Sequence, residues 1–326
     1  MGVEEDVESV LQMQVVPIKD GIDVQGDSQS QPEFVPKTKA NMCYICGTVL
    51  FDDGGRVLLI QEAKKSCLGT WYLPAGRLEP GETIVEGAKR EVREEAGLEC
   101  DLTALLCIEI NSYKWMRFTF LGKITGGKLK TVDEKDNESL QAKFFSKEDL
   151  QQSLACLRHN DILKLIDLGR KYQDSSSAPS LNKLPVIAPH KLLIHRVVII
   201  DRSMTSTQAI HLLASKGNDC HIPTALINHN KEASIAVSVY AILRDAFTAN
   251  LGAVSVRMCG VLGIEHRGTG PEEDGICVTS LVSLDLSNDI PPPTTTSQKY
   301  LWCAVRHEEL RDKLVQATKG KIIPLL

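Results

Sequence analysis

The sequence has no long apolar stretch and no excess of positive charge. Its longest apolar runs, such as residues 192–200, are interrupted by charged residues or histidine, so none resembles a transmembrane helix. Lys and Arg number 37 against 42 Asp and Glu, which gives a net charge of -5. This balance argues against charge-driven binding to nucleic acid polymers or anionic membranes. A nucleotide-sized anion needs only a local positive or metal-bearing site and is still a possible ligand.

The N-terminus also lacks the features of a secretory signal peptide. Its first residues, MGVEEDVESVLQM, are acidic and contain neither a basic region nor a long apolar core. We therefore expect a cytoplasmic protein that can enter the nucleus by diffusion.

A second pair of closely spaced cysteines is missing. The chain has ten cysteines, and only Cys43 and Cys46 have CxxC spacing. A structural zinc site would need a second such pair at a suitable distance. Six of the ten lie in apolar, strand-like runs, where cysteine behaves as a small core residue: Cys43, Cys46, Cys107, Cys259, Cys277 and Cys303. We expect reduced, structural thiols.

Composition along the chain predicts two domains. Residues 1–38 are polar and contain several prolines, which is typical of a flexible segment with at most a short helix. Residues 39–172 alternate between strand-like and helical patterns, and residues 147–173 read as one amphipathic helix. The Ser- and Pro-rich residues 173–189 predict a linker before a second domain at residues 190–326.

The second domain repeats the order of elements in the first. LLCIE at residues 105–109 is similar to VLGIE at residues 261–265, and each is followed by a polar loop and an apolar strand. Two unrelated α/β domains with chance similarities are the alternative.

The strongest functional feature is a helix that carries several acids. Its residues are Arg90-Glu91-Val92-Arg93-Glu94-Glu95-Ala96-Gly97. Glu91, Glu94 and Glu95 share one helical face because they are three and four residues apart. Like charges at these spacings repel each other, so a cluster of this kind favours a site for hard divalent cations such as Mg²⁺, which prefers oxygen ligands.

The loop before this helix supports the metal-site interpretation. Gly76 and Gly81 allow the loop to fold tightly against the start of the helix, and Arg90 can pair with Glu82. The alternative is a solvated, charged helix face, which is the usual explanation for a bare run of charges. Here the glycines, the isolated Glu82 and the Arg-Glu-x-x-Glu-Glu-x-Gly order occur together, which favours the site.

The segment GRLEPGETIVEGAKREVREEAGL resembles the Nudix box, G-x5-E-x7-R-E-U-x-E-E-x-G-U with U aliphatic, at every defined position. The similarity extends over about residues 38–172. It implies an α/β/α sandwich with a mixed sheet. The repeated order of elements predicts that a second, degenerate Nudix-like α/β domain follows. It also implies hydrolysis of a nucleoside diphosphate linked to another group.

The resemblance implies a set of site residues. Glu91, Glu94 and Glu95 would bind Mg²⁺, or Mn²⁺ as a substitute, together with the carbonyl of Ala75 or Gly76, while Glu82 and Arg90 form a bracing pair. A further catalytic carboxylate is expected before a late strand, where Glu138 fits and Glu134 competes.

Within the family, LLIQEAK, WYLPAG and ESLQA are similar to MutT-like members that act on oxidised purine nucleoside diphosphates such as 8-oxo-dGDP and 8-oxo-GDP. The resemblance implies that Leu58 could line the base pocket, although a core position explains it equally well. Trp71 and Tyr72 could stack on a base, but aromatic residues on such strands more often belong to the core. The alternatives are a Nudix hydrolase of ADP-ribose, a dinucleotide or coenzyme A, and a nucleotide-binding scaffold without turnover.

The second domain lacks the acids of the box. Arg244-Asp245 can be aligned with Arg90-Glu91, but Thr248 and Ala249 replace the later acid pair. We expect this half to be non-catalytic and to act in stability, dimerisation or partner binding. The sequence leaves the oligomeric state open.

Overall fold

The computed structural model describes residues 2–25, 33–112, 114–174, 183–201, 210–227, 235–247, 254–270, 272–286, 294–320 and 322–325. The chain divides into two compact units. The first unit comprises Thr38–Glu109 and Trp115–Pro179, and the second comprises Met1–Lys37, Ile110–Lys114 and Ser180–Leu325. Among the described residues, no helix is long and apolar enough to cross a membrane.

The helices and strands alternate along the chain, as expected for an α/β protein. They are α1 (Val3–Leu11), β1 (Cys43–Leu50), β2 (Val57–Glu62), β3 (Trp71–Tyr72), β4 (Ala75–Arg77), α2 (Ile84–Ala96), β5 (Leu98–Ser112), β6 (Trp115–Gly127), β7 (Ser139–Phe145), α3 (Lys147–Gln152), α4 (Asp161–Asp174), β8 (Leu193–Asp201), β9 (His211–Ser215), β10 (Thr224–Leu226), α5 (Ile235–Ala246), β11 (Val254–Glu265), β12 (Ile276–Leu286), β13 (Tyr300–Ala304) and α6 (Glu308–Ala317).

The first unit is an α/β/α sandwich. Its four-stranded sheet has the order β4-β1-β6-β5, and a three-stranded sheet has the order β3-β2-β7. β1 is parallel to β6 and antiparallel to β4, so the sheet is mixed. Cys46 of β1 faces α2, since its sulfur lies 3.6 Å from a Cβ built at Gly87. Val49 faces α4, where its Cγ1 lies 3.0 Å from a Cβ built at Gly169.

Helix α2 has clear start and stop signals. The Thr83 hydroxyl accepts a hydrogen bond from Glu86 N, and the Glu86 carboxylate accepts one from Thr83 N, which forms a capping box. The helix ends at Gly97, whose left-handed φ of 72° suits glycine. A Cβ at Gly97 would also lie 2.3 Å from the carbonyl oxygen of Lys128. These ends fix the phase of the helix and therefore the direction in which its acids point.

The second unit repeats the strand order of the first. β8 is parallel to β12 and antiparallel to β10, while β11 pairs with the far edge of β12. The order β10-β8-β12-β11 therefore matches β4-β1-β6-β5, and β9 pairs with β13 as β2 pairs with β7. Helix α5 lies between β10 and β11 in the chain, as α2 lies between β4 and β5. The second unit thus has the Nudix-like topology that the sequence similarities predict.

The N-terminal residues differ from the flexible segment expected for 1–38. Helix α1 packs into the core of the second unit, and Val7 is completely buried there. Lys19 Nζ pairs with Asp6 Oδ1 at 2.8 Å, and Asp23 Oδ2 accepts a 2.8 Å hydrogen bond from Thr224 N. The apolar residues that α1 buries are spaced as a helical stripe, and they are Val3, Val7, Val10 and Leu11. The sequence contains this apolar stripe, which indicates a buried helix, but the acidic residues around it make the segment resemble an exposed one.

The single helix expected over residues 147–173 is also wrong. α3 ends at Gln152, a 3₁₀ turn covers Leu154–Cys156, and α4 begins only at Asp161. Leu157 forms a β-bridge with Trp71, and Arg158 N donates to the Trp71 carbonyl at 3.0 Å. This tertiary pairing overrides the helical preference of the segment between the two helices.

Candidate active site

The short strand β4 holds the loop backbone against α2. Ala75 N donates a 2.9 Å hydrogen bond to Glu95 Oε2. A Cβ built at Gly76 would lie 2.3–2.4 Å from the carboxylate atoms of Glu91. Only glycine allows so close an approach, because any side chain would displace that carboxylate. The strand therefore places the backbone of Ala75 and Gly76 beside the acidic face of α2.

Arg90 joins the acids of the box to one another. Its Nε and Nη2 bind the two carboxylate oxygens of Glu82 at 2.7 and 3.0 Å. Its Nη1 donates to Glu91 Oε1 at 2.7 Å and to Glu94 Oε2 at 2.9 Å. Arg90 Nη2 also donates to the Arg77 carbonyl at 3.0 Å, so the guanidinium ties the loop to the helix. Such a planar, bidentate contact is specific to arginine.

The three helix acids differ in their environment. Glu95 is 1% exposed and Glu91 is 6% exposed, whereas 43% of the Glu94 side chain is accessible. Burial raises the pKa of Glu95 well above its ordinary value, and the neighbouring Glu91 charge adds to the shift. Burial also raises the pKa of Glu91, despite the hydrogen bonds from Arg90. Both carboxylates are therefore costly to ionise unless a positive charge compensates them.

The donor set fits a divalent cation. Glu95 Oε1 is buried and has no hydrogen-bond partner among the described residues; the closest cation, Lys64 Nζ, is 3.9 Å away. Carboxylate oxygens from Glu91, Glu94 and Glu95 and a carbonyl from Ala75 or Gly76 are all hard oxygen ligands. Cations such as Mg²⁺ and Mn²⁺ prefer this ligand type.

The two candidates for a further carboxylate lie in different settings. Glu134 pairs with Lys128 at 2.8 Å, and this hydrogen bond with those from Thr131 lowers the pKa of Glu134 to about 2. Glu138 lies directly before β7 and is exposed, with its backbone N bound to Asp136 Oδ1 at 2.9 Å. The Glu134 carboxylate is therefore engaged by Lys128 and Thr131, whereas the side chain of Glu138 is exposed.

The residues expected at the base are buried or packed. Leu58 is completely buried on β2. Trp71 is partly buried and meets the ring of Phe145 edge-on at 4.8 Å. Tyr72 is buried, and its hydroxyl group makes polar contacts.

A polar cluster that the sequence did not reveal surrounds Tyr72. Its hydroxyl donates to Asp161 Oδ2 at 3.0 Å and accepts from Arg117 Nη1 at 2.5 Å. Arg117 also pairs with Asp161 at 2.6 Å and with Glu109. Burial raises the pKa of Tyr72, so its hydroxyl stays protonated as a donor. These residues come from four separate elements, so no local motif marks them.

A second unpredicted pair lies between this cluster and the box. Glu62 ends β2 and is 2% exposed, and its Oε1 accepts a 2.6 Å bond from Arg158 Nη1. The Arg158 guanidinium lies 5.5 Å from the centre of the Tyr72 ring. This pair therefore connects the end of β2 with the polar cluster around Tyr72. The segment LLIQEAK gave no sign that its glutamate is buried.

Comparisons with known proteins agree with this site. The model of the NUDIX domain matches residues 45–166. The protein named 8-oxo-dGDP phosphatase NUDT18 from Danio rerio is 35% identical over 324 residues, which cover 97% of each chain. The protein of the same name from Homo sapiens is 36% identical over 302 residues, or 90% of each chain.

The chain belongs to the Nudix family. A further relative, the putative nudix hydrolase 1 of Caenorhabditis elegans, is 42% identical over 147 residues, which cover 44% of this chain and 40% of that protein. The NUDT18 proteins, in contrast, are similar across both units of this Nudix chain.

The second unit of this Nudix chain places different residues at the position of the box. On α5, Asp245 Oδ2 accepts from the Tyr300 hydroxyl at 2.9 Å and from Lys299 Nζ at 3.2 Å. Arg244 Nε donates to the Tyr240 carbonyl instead of bracing an acid. Thr248 and Ala249 lie outside the described residues. The described part of α5 therefore contributes no acid cluster of the kind seen on α2.

One buried cluster in the second unit has metal-ligand chemistry. Atoms of His190, Glu265 and Cys277 lie within 4.8 Å of one another. Glu265, however, already pairs with Arg196 at 2.7 Å and with His190 at 2.8 Å. The buried guanidinium compensates the carboxylate charge, so an ion pair accounts for this cluster.

Proposed function

We propose that the chain hydrolyses oxidised purine nucleoside diphosphates of the 8-oxo-dGDP and 8-oxo-GDP type, giving the monophosphate and phosphate. The observation that carries the proposal is the buried Glu95, with one oxygen held by Ala75 N and the other without a hydrogen-bond partner among the described residues. Burial makes the ionised form of this carboxylate energetically unfavourable, so the site requires a bound cation to compensate its charge. Phosphate-bearing substrates are what such cations recruit.

We propose Mg²⁺ as the physiological cation, with Mn²⁺ as a substitute, held by Glu91, Glu94 and Glu95 and by the carbonyl of Ala75 or Gly76. When bound, the cation neutralises the diphosphate and lowers the pKa of an attacking water.

The protein's own residues position this chemistry. Arg90 keeps Glu91 and Glu94 directed towards one point and is itself fixed by Glu82. Glu138 is exposed directly before β7 and is the candidate to accept a proton from the attacking water. General bases act best when they reach the reacting atom within hydrogen-bond distance, so the proposal requires Glu138 to come that close to the attacking water in the substrate complex.

We assign recognition of the base to the polar cluster around Tyr72. Tyr72 offers a hydroxyl fixed by Asp161 and Arg117, and Trp71 and Leu58 supply apolar surface on neighbouring strands. Polar groups held rigidly in an apolar setting discriminate strongly between similar bases. The full-length similarity to proteins named 8-oxo-dGDP phosphatase supports oxidised guanine as that base.

A substrate panel tests the proposal against its two alternatives. Hydrolysis with Mg²⁺ is followed by chromatographic separation of the products for 8-oxo-dGDP, dGDP, ADP-ribose, a dinucleotide and coenzyme A, using the wild type and Glu94→Gln, because only the nucleoside diphosphates release free phosphate whereas the other compounds give two phosphate monoesters. The proposal expects 8-oxo-dGDP to give the highest kcat/KM and Glu94→Gln to lose most of it. A higher value for another compound favours a different Nudix substrate. Binding without turnover of any compound favours a scaffold.

We propose that the second unit is non-catalytic and acts in stability, dimerisation or partner binding. Asp245 and Arg244 are hydrogen-bonded to the Tyr300 hydroxyl and to the Tyr240 carbonyl, which supports this assignment. Hydrolysis and solubility are compared for the full chain and for residues 38–174. Full activity and solubility of the shorter chain would remove the stability role, and loss of activity in a folded short chain would contradict the non-catalytic assignment.

A further inference from the structure

Glu62 is a buried carboxylate outside the Nudix box, and one of its two oxygens has no hydrogen-bond partner among the described residues. Glu62 is 2% exposed, and its Oε1 is held by Arg158 Nη1 at 2.6 Å. Its Oε2 is buried, and among the residues that the structure describes it has no hydrogen-bond partner. A buried, unpartnered carboxylate oxygen is energetically costly, so the position requires a positive group beside it.

Glu95 has the same arrangement. Its Oε2 is held by Ala75 N at 2.9 Å, whereas its Oε1 is buried and lacks a hydrogen-bond partner within the described part of the chain. Lys64 Nζ is 3.9 Å from this oxygen, beyond hydrogen-bond distance. In each of the two carboxylates, one oxygen therefore accepts a hydrogen bond, and the other has no hydrogen-bond partner among the described residues.

Ser139 lies next to both residues. Glu62 lies opposite Ser139 in the ladder between β2 and β7, and Ser139 Oγ donates a 2.6 Å hydrogen bond to the Glu95 carbonyl. The register of the ladder shifts between Gln61 and Glu62. Such bulges redirect a side chain and are frequent next to active sites. The negative charge of Glu62 also contributes to the raised pKa of Glu95.

We propose that Glu62 Oε2 joins Glu95 Oε1 in binding the divalent cation, so that the metal centre includes a ligand from β2 as well as those from α2. Arg158 is a positioning residue that holds the other oxygen of Glu62. The inference rests on the proposed metal-dependent function of the box. A cation between the two oxygens satisfies both at once, whereas a shared proton would satisfy them without metal.

The test measures metal binding directly and needs no substrate. Free Mn²⁺ is followed by electron paramagnetic resonance during titration of the full chain, for the wild type, Glu62→Gln, Glu95→Gln and Arg158→Gln. Asp52→Asn is the matched control, because it removes a carboxylate of the first unit that pairs with an arginine at an exposed turn. We expect Glu62→Gln to weaken Mn²⁺ binding by about tenfold or more, Arg158→Gln to weaken it less, and Asp52→Asn to leave it unchanged.

The variants separate the inference from simpler explanations. If Glu62 is only the ion-pair partner of Arg158, Glu62→Gln and Arg158→Gln will weaken Mn²⁺ binding equally or not at all, which overturns the inference. Loss of binding in Glu95→Gln but not in Glu62→Gln also overturns it and leaves the proposed function intact. Absence of Mn²⁺ binding by the wild type contradicts both.

Protein stability provides a second readout, which can be used even if a variant is less stable than the wild type. Metal that binds the folded state raises the melting temperature, and at a fixed metal concentration the rise is larger when the affinity is higher. Each variant is compared with its own metal-free form. The inference expects the Mn²⁺-induced rise to be smaller for Glu62→Gln than for Arg158→Gln, and an equal rise in the two variants contradicts it.

Discussion

The guanidinium of Arg90 binds both carboxylate oxygens of Glu82, with Nε 2.7 Å from Oε1 and Nη2 3.0 Å from Oε2. Through Nη1 the same side chain reaches Glu91 and Glu94. Glu82 precedes α2 and the other two acids lie on it, so one arginine fixes the loop and the acidic face together. A lysine is a point charge that cannot reproduce this planar contact.

Replacing Arg90 with lysine should therefore lower activity although the charge is kept. We expect kcat/KM to fall roughly tenfold to a hundredfold, because residues that orient metal ligands typically contribute this much. Arg93→Lys, at an exposed position on the same helix, is the control and should match the wild type. Steady-state kinetics with saturating Mg²⁺ makes the comparison. Equal rates for the two variants would show that the bidentate contact has no role.

Gly76→Ala should disrupt the contact between β4 and α2. Its Cβ would lie 2.3–2.4 Å from the Glu91 carboxylate, so either the strand or the side chain must move. We expect a loss of about 1–3 kcal/mol in the free energy of unfolding, as for other overpacked sites, together with weaker metal binding. Gly54→Ala is the control, since the nearest atom to its Cβ is a side-chain oxygen at 3.4 Å. Urea denaturation that shows equal stability for both variants would contradict the account.

The pH dependence follows from the buried acids Glu91 and Glu95. Burial raises the pKa of both carboxyl groups in the folded state. A folded-state pKa above the unfolded value means that the folded protein holds the proton more tightly, so this contribution to stability is lost as pH rises through the folded pKa. Metal binding displaces these protons and should strengthen over the same range.

We therefore expect the metal-free protein to lose stability as pH rises above the ordinary carboxyl pKa. The increase in melting temperature on adding Mg²⁺ should grow over the same pH range. Melting curves with Mg²⁺ and with a chelator give both quantities. Glu95→Gln should flatten the pH dependence, and an unchanged slope in that variant would refute the assignment to this residue.

Helix α1 should stabilise the second unit. Val7 is completely buried in that core, so Val7→Ala should lower the free energy of unfolding by about 1–3 kcal/mol. Met13→Ala, which alters a side chain that is 47% exposed, should have little effect. Hydrogen exchange should increase in β8 and remain unchanged in β1. Equal exchange in β8 for the two variants would mean that the helix contributes nothing to the unit.

The sequence predicted the parts of the site that lie close together in the chain. Glu82, Arg90 and the acids of α2 fall within one motif, and the capping box at Thr83 and the glycine at position 97 fix the helix that carries them. Glu62, Arg117 and Asp161 were not predicted, because their partners lie 96, 8 and 89 residues away and only the sheets bring them together. Their spacing contains no periodic signal.

The fold, too, was predicted from the sequence only in part. The repeated strand order was visible as similar segments, since buried strands keep an apolar pattern. The break before α4 was not visible, because it depends on pairing of Leu157 with Trp71. Helix α1 carries a regular apolar stripe, but a short acidic helix gives no indication of the core that receives it.

The most direct test is phosphate release from 8-oxo-dGDP by the full chain, with Mg²⁺ and with a chelator, for the wild type and Glu95→Gln. The account predicts release by the wild type only when Mg²⁺ is present, and a rate for Glu95→Gln that is lower by about a hundredfold or more. Equal rates for the two proteins, or release by the wild type that persists without any divalent cation, would contradict it.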